Sequence, residues 1–199
     1  MRERPILFNG AMVRAILSGT KSQTRRVVKG MALDWLDNAK FTPQYVADPR
    51  NDMCPFGKIG DRLWVKETTV RVEEHGYIGP VHAASDEGQA CLDGGLAPAP
   101  DDMTEVEPWE IKLRPSIHMP RSMCRLVLEI TDVRVERLHA ISEADALAEG
   151  VDHVAVDLAR VTGVDCAARV LFRDIWTSTG GDWGANPWVW VICFRRAEQ

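Results

Sequence analysis

Residues 4–26 read RPILFNGAMVRAILSGTKSQTRR, and this stretch predicts a strand, a helix and a second strand in close succession. The RPILF segment is typical of a short strand, and Asn9 is a residue type that caps the first turn of a helix. The apolar residues on one face of that helix are Met12, Val13, Ile16 and Leu17. Gly19 predicts the end of the helix, and the β-rich TRRVV segment predicts the next strand. Lys21 therefore falls on the connecting turn.

The composition is that of a globular protein without a broad basic surface. The 199 residues are 45% hydrophobic, which is enough for one domain with a real core, and we expect a single domain over 1–199. The net charge of −5 argues against a dedicated DNA-coating protein. However, residues 4–33 carry six basic residues and no acidic one, so any contact with nucleic acid is expected to be local.

The cysteines and histidines predict neither disulfides nor a metal site. The five cysteines are scattered without a CxxC pair, and no apolar run reaches the length of a membrane span. We therefore expect free thiols, a cytoplasmic location and no membrane partner. The five histidines form no HExxH motif and no cluster at zinc-ligand spacing, so neither a metal nor another cofactor is expected.

The remaining segments predict an α+β fold. Strand patterns occur in GDRLWVKET (60–68), over 125–138 as one long bent strand or two strands in sequence, and over 186–196. Further helices are expected after Ser142 and over 164–177, whereas 34–60 is interpreted mostly as loop. Strands separated by only three short helices suggest a small, closed or nearly closed β-barrel with long loop insertions. Residues 86–110 contain eight acids and no Lys or Arg, which predicts a mobile acidic insertion.

Lys21 and Thr24 have two interpretations. A threonine hydroxyl becomes a nucleophile when a neighbouring base takes its proton, and a lysine whose pKa is lowered by burial or nearby cations is such a base. Alternatively, Lys21 complements the negative end of the helix dipole and Thr24 is an ordinary strand residue. Spacing alone favours this second, structural interpretation.

Other candidate residues surround this motif or follow it along the chain. Arg25 and Arg26 are expected to bind phosphate or stack on a base, but strand alternation places them on opposite sides. Glu149 ends a short helix, where the dipole disfavours an anion, and this conflict hints at function. Trp64 and Glu67 are candidates for lining a substrate pocket, although Trp64 also suits a core position.

Taken together, five segments resemble the ASCH-domain family, in particular its longer form found in phages and prophages. They are the opening stretch, GDRLWVKET, RPSIHMPR (114–121), LVLEITDVRVERLHAISEADALAEG (126–150) and NPWVWVICFRR (186–196). The resemblance covers the chain except for roughly 31–53, 72–110 and 151–167. It implies a PUA-like fold, that is, a small β-barrel with flanking helices and a cleft suited to a nucleobase or RNA.

The resemblance also implies an activity and its site residues. A small bacterial member of the family is an N4-acetylcytidine amidohydrolase, and its motif of Gly, any residue, Lys, two residues, Thr is similar to Gly19, Lys21 and Thr24. By this resemblance Lys21 is the proton acceptor, Thr24 the nucleophile and Glu149 the proton donor, although Glu149 rests on a looser alignment. Arg26 also has an arginine counterpart, which implies a role in holding substrate or an oxyanion.

The sequence therefore predicts an amidohydrolase that removes the acyl group from N4-acylated cytidine, a small-molecule modified nucleoside. Within this chemistry, an alternative is that Lys21 and Glu149 activate water directly. Two alternatives of other classes also stay open: a non-catalytic module that binds RNA or a modified nucleobase, and a ribonuclease. Arg25, Arg26, Trp64 and Glu67 are the expected substrate-binding residues. The acidic net charge favours a small-molecule substrate over RNA. The oligomeric state is left open.

Overall fold

The computed structural model describes residues 1–72, 81–94 and 111–197 and mixes helices with strands, which confirms the predicted α+β class. In chain order the strands are β1 (Glu3–Leu7), β2 (Gln23–Val27), β3 (Arg62–Lys66), β4 (Thr69–Val72), β5 (Val81–His82), β6 (Ile111–Arg114), β7 (Val127–Arg137) and β8 (Trp188–Arg196). The α-helices are α1 (Gly10–Leu17), α2 (Met31–Asp37), α3 (Pro43–Ala47), α4 (Asp86–Gly94), α5 (Glu143–Ala148), α6 (His153–Val161) and α7 (Ala167–Ser178).

Five strands form the main sheet in the order β1-β3-β7-β8-β2. The β1–β3 pair is parallel, and the other three pairs are antiparallel. A register shift between Ile130 and Asp132 interrupts the long pairing of β7 with β8, so the predicted bent strand over 125–138 is confirmed as one strand with an irregularity. A second sheet has the order β5-β4-β6.

The predicted closure of the main sheet into a barrel is wrong. Within the described ranges, β1 and β2 are the two edges of the sheet and no strand pairing joins them. A side chain spans this gap instead, because Nη2 of Arg26 on β2 donates a 2.7 Å hydrogen bond to the Leu7 carbonyl at the end of β1. The two edges thus meet through a guanidinium group rather than through a backbone ladder.

The prediction of only three short helices is also wrong. Helix α3 lies within the 34–60 segment interpreted mostly as loop, and α2 overlaps its start. Helix α6 precedes the predicted helix over 164–177. The hydrophobic pattern of α2 and α3 is weak, because these helices are only seven and five residues long and each buries few side chains. Helix α4 covers the first nine residues of the predicted acidic insertion, whereas residues 95–110 lie outside the described residues.

The main sheet is packed on both faces, which decides where the β2 side chains point. One core cluster includes Phe8 and Ile192 and is covered by α1 to α3, and the other includes Val191 and Phe172 and is covered by α5 to α7. Thr24 and Arg26 pair with Ile192 and Trp190 of β8, so they lie on the α1 face. Arg25 pairs with Val191 and lies on the opposite face. Strand β2 therefore sends neighbouring side chains into two different environments.

Candidate active site

The turn between α1 and β2 is held against the end of α5 by backbone hydrogen bonds. The amides of Thr20 and Lys21 both donate to the Ala15 carbonyl, at 2.9 and 3.0 Å. On the other side of the turn, the Ser22 amide donates to the Ala148 carbonyl at 2.9 Å, and Lys21 forms an isolated antiparallel bridge with Glu149. Because Ser142 caps α5 through a capping box, the position of Glu149 follows from the start of that helix.

The structure brings Lys21 and Glu149 into direct contact. The Lys21 Nζ donates to Glu149 Oε2 at 2.9 Å, to the Glu149 carbonyl at 2.7 Å and to the Gln23 carbonyl at 2.8 Å. An ammonium group has three N–H donors, and here each has an acceptor, which is the arrangement expected of a charged lysine. The Gln23 carbonyl belongs to the peptide group that joins Gln23 to Thr24, so Lys21 Nζ lies against the backbone of Thr24.

Burial acts strongly on Lys21, which is only 3% exposed. Loss of hydration lowers the pKa of the Lys21 amine, and the positive charges of Arg26 and Arg25 lower it further. The Glu149 carboxylate opposes these effects through its charge and its hydrogen bond, but the net direction is downward. The site therefore makes Lys21 easier to deprotonate than a lysine in water.

The second carboxylate oxygen of Glu149 is held by Arg25. Arg25 Nη1 donates to Glu149 Oε1 at 3.1 Å. Arg25 Nη2 donates to Glu136 Oε1 at 2.6 Å and lies 3.3 Å from Asp145 Oδ2. The Arg25 side chain has no exposed surface, and its guanidinium carbon lies 5.9 Å from the centre of the Phe172 ring. The protein itself thus surrounds Arg25 with three carboxylates.

Arg134 contacts the remaining oxygens of two of these carboxylates. Its Nε donates to Glu136 Oε2 at 3.2 Å and its Nη2 to Asp145 Oδ1 at 2.9 Å. Sequence reasoning did not assign Arg134, Glu136 or Asp145 to the site. The available signal was that Arg134 and Glu136 alternate along one strand and so share a face. Nothing in the sequence pairs them with Arg25, which is 111 positions from Glu136.

Thr24 and Arg26 lie on the other face of β2, near Phe8. Thr24 is 3% exposed. The Arg26 guanidinium carbon and the Lys21 Nζ lie 5.3 and 5.7 Å from the centre of the Phe8 ring, so one aromatic ring contacts both cations. Burial lowers the pKa of Arg26, and the charge of Glu149 opposes this effect. Within the described part of the chain, the buried Nε of Arg26 has no hydrogen-bond partner.

Trp64 and Glu67 make their contacts elsewhere. The buried Glu67 carboxylate accepts two hydrogen bonds of 2.9 Å from Arg125 and lies 3.9 Å from His82 Nε2. Trp64 is half-buried and packs under the Lys66 ammonium, 5.5 Å from the ring centre. No contact among the described residues joins either side chain to Lys21 or Thr24, and their role in substrate binding stays a prediction.

Over 1–72, 81–94 and 111–197, no three His, Cys, Asp or Glu side chains are grouped so that they could hold a metal ion. In the same ranges, no helix is both long enough and apolar enough to cross a bilayer.

Comparison with known proteins gives structural similarities only. Neither the protein-family models nor the curated proteins provide a match. Among solved structures, the chain is similar to an ASCH domain from Lactobacillus crispatus JV V101, with 12% identity, a TM-score of 0.39, and coverage of 98% of this chain and 79% of that one. It is also similar to a protein from Enterococcus faecalis V583 with the family model DUF984, with 11% identity, a TM-score of 0.37, and coverage of 99% and 80%.

Gly150 offers a test of how tightly the Lys21 stem is held. Its φ is +90°, and a Cβ added there would lie 3.0 Å from Lys21 Cβ and 3.2 Å from Ala15 Cβ. Gly163 is a matched control, because its φ is +85° but an added Cβ would meet nothing within 4 Å. Both Gly→Ala variants carry the backbone cost of a positive φ, about 1 kcal/mol, and only Gly150→Ala adds the clash.

We therefore expect Gly150→Ala to lower the free energy of unfolding in urea clearly more than Gly163→Ala does. Equal losses of unfolding free energy for the two variants would show that the turn moves to accommodate the added methyl group. That result would contradict a rigid position for Lys21.

Proposed function

We propose that this chain is an amidohydrolase that removes a small acyl group from N4-acylated cytosine nucleosides. The observation that carries the proposal is the buried Lys21–Glu149 pair, 2.9 Å apart, whose amine also contacts the peptide carbonyl preceding Thr24. The reaction type is supported by an amine with a lowered pKa that contacts the peptide carbonyl directly before a buried threonine. The substrate class comes from the resemblance of Gly19, Lys21 and Thr24 to the N4-acetylcytidine amidohydrolase motif.

The first step is a proton transfer within the pair. The Lys21 ammonium passes one proton to Glu149 Oε2, which leaves a neutral amine and a carboxylic acid. The neutral amine then takes the hydroxyl proton of Thr24 as its oxygen attacks the acyl carbonyl carbon. This restores the Lys21 ammonium and forms a tetrahedral intermediate that carries a negative oxygen.

Glu149 completes the acylation half of the reaction. Its carboxylic acid gives its proton to the departing N4 nitrogen as the carbon–nitrogen bond breaks, which releases cytidine and leaves an acyl ester on Thr24. A second proton transfer from Lys21 to Glu149 then readies the amine to accept a proton from water. Water attacks the ester, Glu149 returns a proton to the Thr24 oxygen, and the carboxylic acid product leaves.

Arg26 is proposed to stabilise the negative oxygen of the tetrahedral intermediate. Its Nε–H has no partner in the described structure, and it lies on the same face of β2 as Thr24. Donors placed where negative charge develops are worth most in a site that excludes water. Because Thr24 is 3% exposed, side chains must move for the substrate to enter, and a small group such as acetyl fits this site better than a bulky one.

A direct test is the release of cytidine and acetate from N4-acetylcytidine by protein treated with a chelator, followed by HPLC. We expect Lys21→Met and Thr24→Ala to lower kcat by at least about 100-fold, since general acid–base help is typically worth about 10² to 10⁴ in rate. Thr20→Ala and Lys29→Ala change an exposed threonine and an exposed lysine in the same region and are the matched controls. Wild-type rates in both site variants would overturn the proposed mechanism.

The pH profile gives an independent check. The reaction needs one proton shared by Lys21 and Glu149, so kcat falls at high pH when Lys21 loses that proton. Because burial lowers the pKa of Lys21, the alkaline limb is expected below the ordinary lysine value of 10.5. A rate that keeps rising beyond that value would show that Lys21 is not the group that limits the reaction.

A second candidate is a non-catalytic module that binds RNA or a modified nucleobase. The observation that favours it is that all three Lys21 protons already have acceptors, which also describes a structural ion pair. This candidate predicts salt-dependent binding without turnover when acylated cytidine and unmodified RNA are offered side by side. Release of cytidine from the acylated nucleoside rules it out.

A further inference from the structure

Arg25 spans two sets of acids with its two terminal nitrogens. Nη1 contacts Glu149 at 3.1 Å, and Nη2 contacts Glu136 and Asp145 at 2.6 and 3.3 Å. We propose that Arg25 is a positioning residue that orients the Glu149 carboxylate so that Oε2 faces the Lys21 amine. The inference rests on the proposed function for the role of Glu149 and gives Arg25 a role different from substrate binding.

The planar guanidinium of Arg25 links the contacts of Nη2 to the contact that Nη1 makes with Glu149. Because Nη1 and Nη2 are parts of one rigid fork, holding Nη2 in place determines where Nη1 points. Nη1 occupies Oε1 of Glu149, and therefore Oε2 is the oxygen that faces the Lys21 amine. A lysine at position 25 would place one nitrogen here and could not bind Glu149 and Glu136 with the same geometry.

Arg134 prevents the fork from turning away. Arg134 binds the carboxylate oxygens of Glu136 and Asp145 that do not contact Arg25. The two arginines and two acids therefore form a closed ring of alternating charge. Arg134 and Glu136 belong to β7, and Asp145 is fixed at the start of α5 by its capping-box contact with Ser142. The Arg25 fork is thus anchored by the central part of the sheet as well as by the helix that ends at Glu149.

Loss of Arg25 changes the surroundings of Glu149 at one oxygen. Lys21 contacts Oε2 and Arg25 contacts Oε1, and the Glu149 side chain is 6% exposed, so little water is available to replace Arg25. Without the Arg25 contact, Oε1 loses its partner and the carboxylate is free to rotate, so that Oε2 is no longer directed at the Lys21 amine.

The decisive variant pairs Arg25→Gln with Glu136→Gln, which removes one charge of each sign and limits the loss of stability. Glu136→Gln alone is the matched control, because it carries the same loss of Glu136 and keeps the Arg25 guanidinium beside Glu149 and Asp145. Crystal structures of the variants measure the distance from Lys21 Nζ to Glu149 Oε2, which is 2.9 Å here. This readout needs no substrate and is independent of turnover.

We expect the Lys21 Nζ–Glu149 Oε2 contact to be lost in the double variant and kept in Glu136→Gln. The double variant should lower kcat by at least about tenfold relative to Glu136→Gln with little change in KM, because Arg25 acts through Glu149 and not on the substrate. Arg25→Lys keeps the charge but loses the fork, so we expect it also to lower kcat by at least about tenfold.

An intact Lys21–Glu149 contact in the double variant would overturn the inference. So would full kcat in Arg25→Lys, because a positive charge without the fork would then be enough. If no variant, including the wild type, releases cytidine, the proposed function fails, and the crystal structures still decide whether Arg25 orients Glu149.

Discussion

One carboxylate, that of Glu149, is shared between two buried cations, and the site depends on this sharing. Oε2 accepts from Lys21 at 2.9 Å and Oε1 accepts from Arg25 at 3.1 Å, while the side chain of Glu149 is 6% exposed. Three parts of the chain meet here: the turn after α1, strand β2 and the end of α5. A buried carboxylate is costly unless each oxygen has a partner, so the packing of α5 against β2 and the position of both cations are linked.

This arrangement has a chemical consequence beyond stability. A buried ion pair is weak evidence of stabilisation, because the desolvation of both charges offsets much of their attraction. For Lys21 that desolvation lowers the pKa of the amine, which reduces the cost of moving its proton to the adjacent carboxylate. In the proposed mechanism the pair holds one mobile proton, and Lys21 and Glu149 exchange it during each half of the reaction. In that mechanism, the contact that joins two elements of the fold also supplies both the base and the acid.

Local patterns in the sequence predicted the elements that carry the site. The cap of α1 by Asn9, the positive φ of Gly19 and the capping box of Ser142 all agree with the residue types at those positions. Alternation along β2 correctly placed Arg25 and Arg26 on opposite faces. These features depend on residues within a few positions of each other, which is why the sequence contains them.

The features that the sequence did not predict are non-local or weakly patterned. The open sheet depends on which edges meet, and Arg26 joins β2 to the end of β1 across a gap that no local pattern reveals. The short helices α2 and α3 bury too few apolar residues to show a clear period. The ring around Arg25 needs Glu136 and Asp145 to arrive from distant elements, so Arg25 was predicted to bind substrate rather than carboxylates of its own chain.

In the proposed mechanism, Thr24 carries the acyl group between the acylation half and the hydrolysis half of the reaction. Rapid-quench mass spectrometry after mixing with N4-acetylcytidine measures this directly, by locating an acetyl group on a peptide of the protein. We predict an acetyl adduct on Thr24 in the wild type and its absence in Lys21→Met. Release of cytidine with no adduct on Thr24 at any time point would contradict the central claim.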